Sequence, residues 1–257
     1  MIAGEARLVQ VAGPGIIARI PDLHRADALS TAAPAARAHG ATSGVDKLIR
    51  TVVFDFEGTL VDFQWRLGAA QTELRRAFAD QGYVVEGNYA EMWNAAAALA
   101  APQGRLEALR RALFPIYDRW DADALTRWSP RRGASALLQR LADRDVKSAM
   151  VSNVGRAALD TALVRFGLQR SLWPVISRDD VIHLKPNPEG VSAVLAAMKA
   201  PAGEALFVGD SLADVRAARA IGMRVAIIHG GESQGAAFAA APPDWMVSRL
   251  DEIADLD

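Results

Sequence analysis

The sequence predicts an α/β fold: a Rossmann-like, doubly wound parallel sheet with an inserted all-helical cap domain. Three observations predict it. From Lys47 onward, short apolar runs rich in β-branched residues alternate with single segments of helical periodicity. Those runs are continuously apolar, as expected of strands buried on both faces of a parallel sheet. One interval, about 63–130, holds helical patterns and no strand.

Taken in order, the first strand spans 49–55 and ends abruptly in Asp55-Phe56-Glu57-Gly58-Thr59. Helical patterns then follow one another at 64–81, 88–100 and 104–119, with Leu67, Leu74, Ala77 and Phe78 recurring at helical spacing. Because this insert leaves the sheet just after Asp55 and Glu57, it is placed to cover them, where a lid excludes water and selects substrates by shape. A helix at 133–144 leads to a strand at 146–151, and a helix at 155–167 to a weaker strand near 173–176. A helix at 187–199 leads to a strand at 204–208, and one at 211–221 to a strand at 224–228. A short strand at 245–247 and a helix at 249–255 close the chain. Single helices between strands imply right-handed crossovers. The expected division is an N-terminal extension over 1–47, a catalytic core over 48–62 and 131–257, and a helical cap over 63–130.

The extension differs in texture. Its stretch from Thr31 to Gly44 is low in complexity and has no periodic apolar face, so it reads as flexible. Gly13-Pro14-Gly15 mimics a dinucleotide fingerprint, but Pro21 would break the helix that must follow, and a surface strand and turn is the better reading.

Composition excludes several classes. The chain has 257 residues, 51% of them hydrophobic and 23% charged, within the range of a globular protein with one large core. A net charge of −1 gives no electrostatic footprint for nucleic acid or an anionic membrane. No cysteine is present, which removes disulfides, thiolate catalysis and Cys-based zinc sites, and suits a reducing compartment. With no bilayer-length apolar run and no apolar secretory core at the N-terminus, a soluble cytoplasmic protein is expected.

Four strand ends carry polar groups in order: Asp55 to Thr59; Ser152-Asn153 after Met150-Val151; Lys185-Pro186 in a loop before a helix; and Gly209-Asp210-Ser211-Leu212-Ala213-Asp214. Parallel topology converges all four on one sheet edge, where ligands bind in open α/β folds. Together they supply the parts of phosphoryl transfer. Asp55 is an anionic nucleophile, and Mg²⁺ held by Asp55 and Asp210 would cancel its repulsion for a phosphate. Lys185 adds a point charge on the transferring group. Thr59, Ser152, Asn153 and the backbone N–H groups after Asp55 are candidate phosphate contacts. Glu57 is a candidate proton donor to the leaving alcohol and then a base for water. Ser152 and Asn153 also suit a helix cap, which is compatible with anion binding. Asp214 also suits a first-turn carboxylate.

This constellation resembles the haloacid dehalogenase-like superfamily of hydrolases, most of which are Mg²⁺-dependent phosphatases, over roughly residues 48–257. The resemblance implies Asp55 as nucleophile, Glu57 at the acid/base position and Lys185 as the stabilising lysine. It implies Ser152 as phosphate ligand and Asp210 with Asp214 as the acidic metal motif. It also implies a metal contact from the Glu57 position through its backbone carbonyl. The insert's position, together with Ala217-Ala218-Arg219-Ala220-Ile221-Gly222-Met223 and Pro243-Asp244-Trp245, resembles the phosphoglycolate-phosphatase-like branch. Glu57 stands where most such phosphatases have aspartate; enolase-phosphatases likewise read Asp-x-Glu-Gly-Thr. The dehalogenase branch lacks a paired acidic motif like Asp210 and Asp214. The expected activity is hydrolysis of a small-metabolite phosphomonoester through an aspartyl-phosphate. Two rivals stand beside it: a non-catalytic phosphate-binding protein, suggested by Glu57, and a phosphosugar mutase.

Within the insert, Trp93, Phe114, Tyr117, Trp120 and Trp128 are expected as core, while Phe63, Trp65 and Arg66 lie near the catalytic loop. Arg66 is a candidate reader of a second anionic group on the substrate. Arg110-Arg111 reads as a solvated helix face, and the four histidines show no ligand spacing.

Overall fold

Strands β1 (Thr51–Phe54), β2 (Lys147–Val151), β3 (Val175–Ile176), β4 (Ala205–Gly209), β5 (Arg224–Ile228) and β6 (Trp245–Val247) form one parallel sheet in the order β3-β2-β1-β4-β5-β6. A computed structural model describes residues 48–256; the expectations for the extension and its glycine motif lie outside them. Every residue of β1 and β4 is buried, which is why neither run alternates in polarity. Phe54 sits between Met150 of β2 and Val208 of β4, and the ladder continues as Asp55 N–H donates to the Val208 carbonyl at 2.9 Å.

From β1 the chain steps outward to β2 and β3, then returns to the other side of β1 as β4 and steps outward to β5 and β6. Connections therefore leave β1 and β4 in opposite directions, and the crevice at their carboxyl ends is the switch point where such sheets bind ligands. Asp55 and Asp210 follow these two strands directly.

Between β1 and β2 run α1 (Leu67–Asp80), α2 (Tyr89–Ala100) and α3 (Leu106–Leu125), then α4 (Ala134–Asp143). The later connections carry α5 (Arg156–Arg165), α6 (Glu189–Met198) and α7 (Leu212–Arg219). A capping box starts α2: the Asn88 carboxamide oxygen accepts from Ala90 and Glu91 N–H, and Glu91 returns a bond to Asn88 N–H. Helix α3 runs on to Leu125 instead of ending at 119. Its buried face (Leu109, Leu113, Tyr117, Asp121, Ala124) continues unbroken past Pro115, and packing of that face carries the helix beyond the expected end. The last element, Leu250–Asp255, is a 3₁₀ helix, not an α-helix. Among the described residues, no helix is long and apolar enough to cross a membrane.

Candidate active site

The carboxyl edge of the sheet brings most of the expected residues to one place. Lys185 Nζ donates to Asp55 Oδ1 at 2.6 Å, to Asp214 Oδ1 at 2.7 Å and to the Val151 carbonyl at 3.1 Å. Its loop is held by Asn153, whose carboxamide accepts from Lys185 N–H at 3.0 Å and donates to the Lys185 carbonyl at 3.1 Å. Burial alone would lower the Lys185 ammonium, but the Asp214 and Asp55 carboxylates more than reverse that, so it stays charged. Burial pushes the Asp55 carboxyl up to about 6, against the lowering pull of Lys185.

Asp55, Asp210 and Asp214 form a buried triad whose carboxylate oxygens lie within 4.8 Å of one another. Asp210 is raised well above the usual carboxylate range, first by burial and then by Asp214 and Asp55. Three carboxylates face one ammonium, so a hard divalent cation would complete the charge balance with the oxygen donors it prefers. Backbone closeness holds Asp210. A Cβ at Gly58 (φ +86°) would lie 2.2 Å from its Oδ2, and one at Gly231 would lie 2.0 Å away. Glu232 N–H donates to the same Oδ2 at 2.5 Å. Asp214 combines both readings of its position: Oδ2 accepts from Asp210 N–H, Ser211 N–H and Ser211 Oγ at the start of α7, while Oδ1 meets Lys185.

The Glu57 side chain lies outside the triad. Its Oε1 accepts from Gln64 N–H at 2.7 Å, Trp65 N–H at 2.8 Å and Trp128 Nε1 at 2.8 Å. Those donors sit on the two segments where the chain leaves and re-enters the sheet layer. Burial pushes Glu57 up to about 7, against the Trp128 bond that favours its charged form.

A cavity lies over Asp55, and Glu57, Ser152, Asn153 and Lys185 line it. Thr59 does not: fully buried, its Oγ1 donates to Asp210 Oδ1 at 3.3 Å. Phe63 and Trp65 line the cavity, while Arg66 is turned away toward Asp123 at 3.5 Å. Arg110 is not a solvated residue. It reaches from α3 to the Val181 carbonyl at 2.7 Å, whereas Arg111 is exposed.

Four further residues belong to the site. Tyr89, at the start of α2, lines the cavity next to Asn153 and packs against Trp65 with ring centroids 4.7 Å apart and planes tilted by 54°. Asp121 of α3 accepts from Trp65 Nε1 at 3.0 Å, Gly155 N–H at 2.9 Å and Arg178 Nη1 at 2.7 Å. Arg178 is wholly buried and also pairs with Asp118. Glu232 lines the cavity from the loop after β5. Only Glu232 had a usable signal, since it too follows a strand at the binding edge.

A family model for haloacid dehalogenase-like hydrolases matches residues 49–222, and the chain belongs to that family. It is 29% identical over 219 residues to the phosphoglycolate phosphatase of Yersinia pestis, spanning 80% of this chain and 92% of that one. It is 30% identical over 196 residues to the phosphoglycolate phosphatase of Rhodospirillum rubrum, spanning 72% and 81% respectively. Among solved structures, a haloacid dehalogenase-like chain from Bacteroides fragilis shares the fold with a TM-score of 0.60, over 80% of this chain and 99% of that one, at 22% identity.

Proposed function

We propose that this chain is a Mg²⁺-dependent phosphatase that hydrolyses a small phosphorylated metabolite through an aspartyl-phosphate on Asp55. The observation that carries this reading is the Lys185 bridge between Asp55 and Asp214, beside the close approach of Asp210. A nucleophile, a fixed cation and a carboxylate pair for a metal converge at one sheet edge. The relatives' phosphatase activity supports the same class of substrate.

Asp55, Asp210 and Asp214 would hold Mg²⁺, with the Glu57 backbone carbonyl as a further contact. The bound ion would neutralise the carboxylates and polarise the phosphoryl oxygens. Ser152, Asn153 and Lys185 would hold and orient the phosphate, and Lys185 would stabilise charge on the transferring group. Thr59 would act indirectly, by orienting Asp210. Asp55 Oδ attacks phosphorus, forming a new O–P bond as the ester O–P bond breaks. Glu57 donates its proton to the departing alkoxide, so the alcohol leaves neutral. Glu57, now ionised, accepts a proton from water as the water oxygen attacks the aspartyl-phosphate. Phosphate is released and both carboxyl groups return to their starting states. A carboxyl whose pKa is pushed up to about 7 suits that alternation.

Residues 63–130 would act as a cap over this chemistry. Phe63, Trp65 and Tyr89 exclude water from the reacting groups. The test is phosphate release from a panel of small phosphomonoesters by the full chain, with Mg²⁺ and with EDTA. Mg²⁺-dependent release is expected. Release that persists in EDTA, or none from any ester, contradicts the proposal.

A further inference from the structure

Resting on that reading, we infer that Asn94 of the insert is a positioning residue, which acts through the backbone of the Lys185 loop to set the ammonium against the transferring phosphoryl group. The residues before Lys185 belong to no strand or helix, so side chains must satisfy their buried backbone groups. Two layers of the molecule supply those side chains. From the sheet layer, the Glu189 carboxylate at the start of α6 accepts from Ile182 N–H at 2.7 Å and His183 N–H at 2.9 Å. Asn153, just after β2, holds both backbone groups of Lys185.

The insert supplies the rest. Asn94 of α2 holds both backbone groups of Leu184: its Oδ1 accepts from the N–H at 2.7 Å and its Nδ2 donates to the carbonyl at 2.8 Å. Trp93 Nε1 donates to the Ile182 carbonyl at 2.8 Å, and Arg110 of α3 to the Val181 carbonyl at 2.7 Å. Residues 184 and 185 are thus each gripped at N–H and carbonyl by one asparagine, the first from the insert and the second from the sheet. Asn94 does not line the cavity, so its effect must pass through the loop. Helix packing does not call for an amide there either, because the buried face of α2 is made by Ala90, Met92, Trp93, Ala96, Ala97 and Ala100. Lys185 has little slack with which to absorb a shift. Its buried ammonium is fixed between Asp55, Asp214 and the Val151 carbonyl, and a loop displaced by about 1 Å changes its reach to the phosphoryl oxygens.

Asn94→Leu keeps the size of the side chain and removes both bonds. The full chain with Mg²⁺ and p-nitrophenyl phosphate gives the test, with orthovanadate as inhibitor standing in for the transferring phosphoryl group. In the variant kcat/KM is expected to fall about tenfold or more, and the vanadate inhibition constant to rise in parallel. A variant that had only lost folded protein would show a lower kcat with an unchanged vanadate constant. That outcome overturns the inference, as does a kcat/KM equal to wild type. Where the leucine variant does not fold, Asn94→Ala, which suits a helix, carries the same two measurements. If wild type neither hydrolyses the ester nor binds vanadate, the phosphatase reading fails instead. Hydrogen–deuterium exchange over residues 181–186 then decides the positioning question: faster exchange in the Asn94 variant is expected, and unchanged exchange overturns the inference.

Discussion

Glu57 is where a single methylene matters. Its extra length lets Oε1 reach Trp128 Nε1 and the Gln64 and Trp65 amides together. The Glu57 carboxyl is therefore held by three donors at once. Glu57→Gln keeps the shape but removes the transferable proton, and kcat is expected to fall by about 10²–10⁴. Glu57→Asp is expected to remain active but slower than wild type, because it draws the carboxyl back from Trp128. Steady-state kinetics of the two variants check both outcomes, and an aspartate variant faster than wild type would contradict the fit. At Gly231 the constraint is steric. Gly231→Ala places a methyl group where Asp210 Oδ2 stands, and the Mg²⁺ concentration for half-maximal activity is expected to rise about tenfold or more. Such residues differ in how far sequence exposes them. Asp55 and Asp210 are legible because each follows an apolar strand. Thr59 is expected as a phosphate contact, and the structure turns its hydroxyl to Asp210.

Among the elements, α3 decides how the insert meets the sheet. Asp121 and Asp118 grip Arg178, which follows β3, and Asp121 also ties Gly155 at the start of α5. Arg178 is boxed by Phe114 and Tyr117, with its guanidinium 5.2 and 5.1 Å from their ring centroids. Removing the arginine strands a buried carboxylate, a loss of about 3–5 kcal/mol. Thermal unfolding of Arg178→Ala is accordingly expected to occur roughly 10 °C below wild type. Replacing both partners with apolar residues (Arg178→Met with Asp121→Leu) should recover part of that loss, and a single variant as stable as wild type would rule the anchor out. This contact was illegible in the sequence for a physical reason. Asp121 lies beyond the helical pattern expected to end at 119, and only the packed face of α3 shows that the helix continues. Arg178 lies in a short turn with no periodicity, and nothing local marks it as buried.

For the whole molecule, the parallel sheet was legible because buried strands leave continuous apolar runs and the crossovers leave helical periods between them, whereas the order of its strands comes from the structure. Distances across the cavity were not legible, since they arise from four separate connections meeting at one edge. The charge they assemble has a global consequence. With three buried carboxylates facing one ammonium, Mg²⁺ should bind the folded chain and not the unfolded one. At a hundredfold excess over Kd, mass action then adds about 2.7 kcal/mol of stability. Calorimetry should show Tm rising with Mg²⁺ and no rise in Asp210→Asn; a Tm indifferent to Mg²⁺ in the wild-type protein would refute the metal site. The claim that joins all three scales is that Asp55 takes the phosphoryl group. Its most direct test is Mg²⁺-dependent phosphate release by Asp55→Asn beside wild type, with folding of both checked by circular dichroism. Folded Asp55→Asn with release reduced by about 10³-fold or more is the expected result. Folded Asp55→Asn that turns over at a rate near wild type would contradict the mechanism outright.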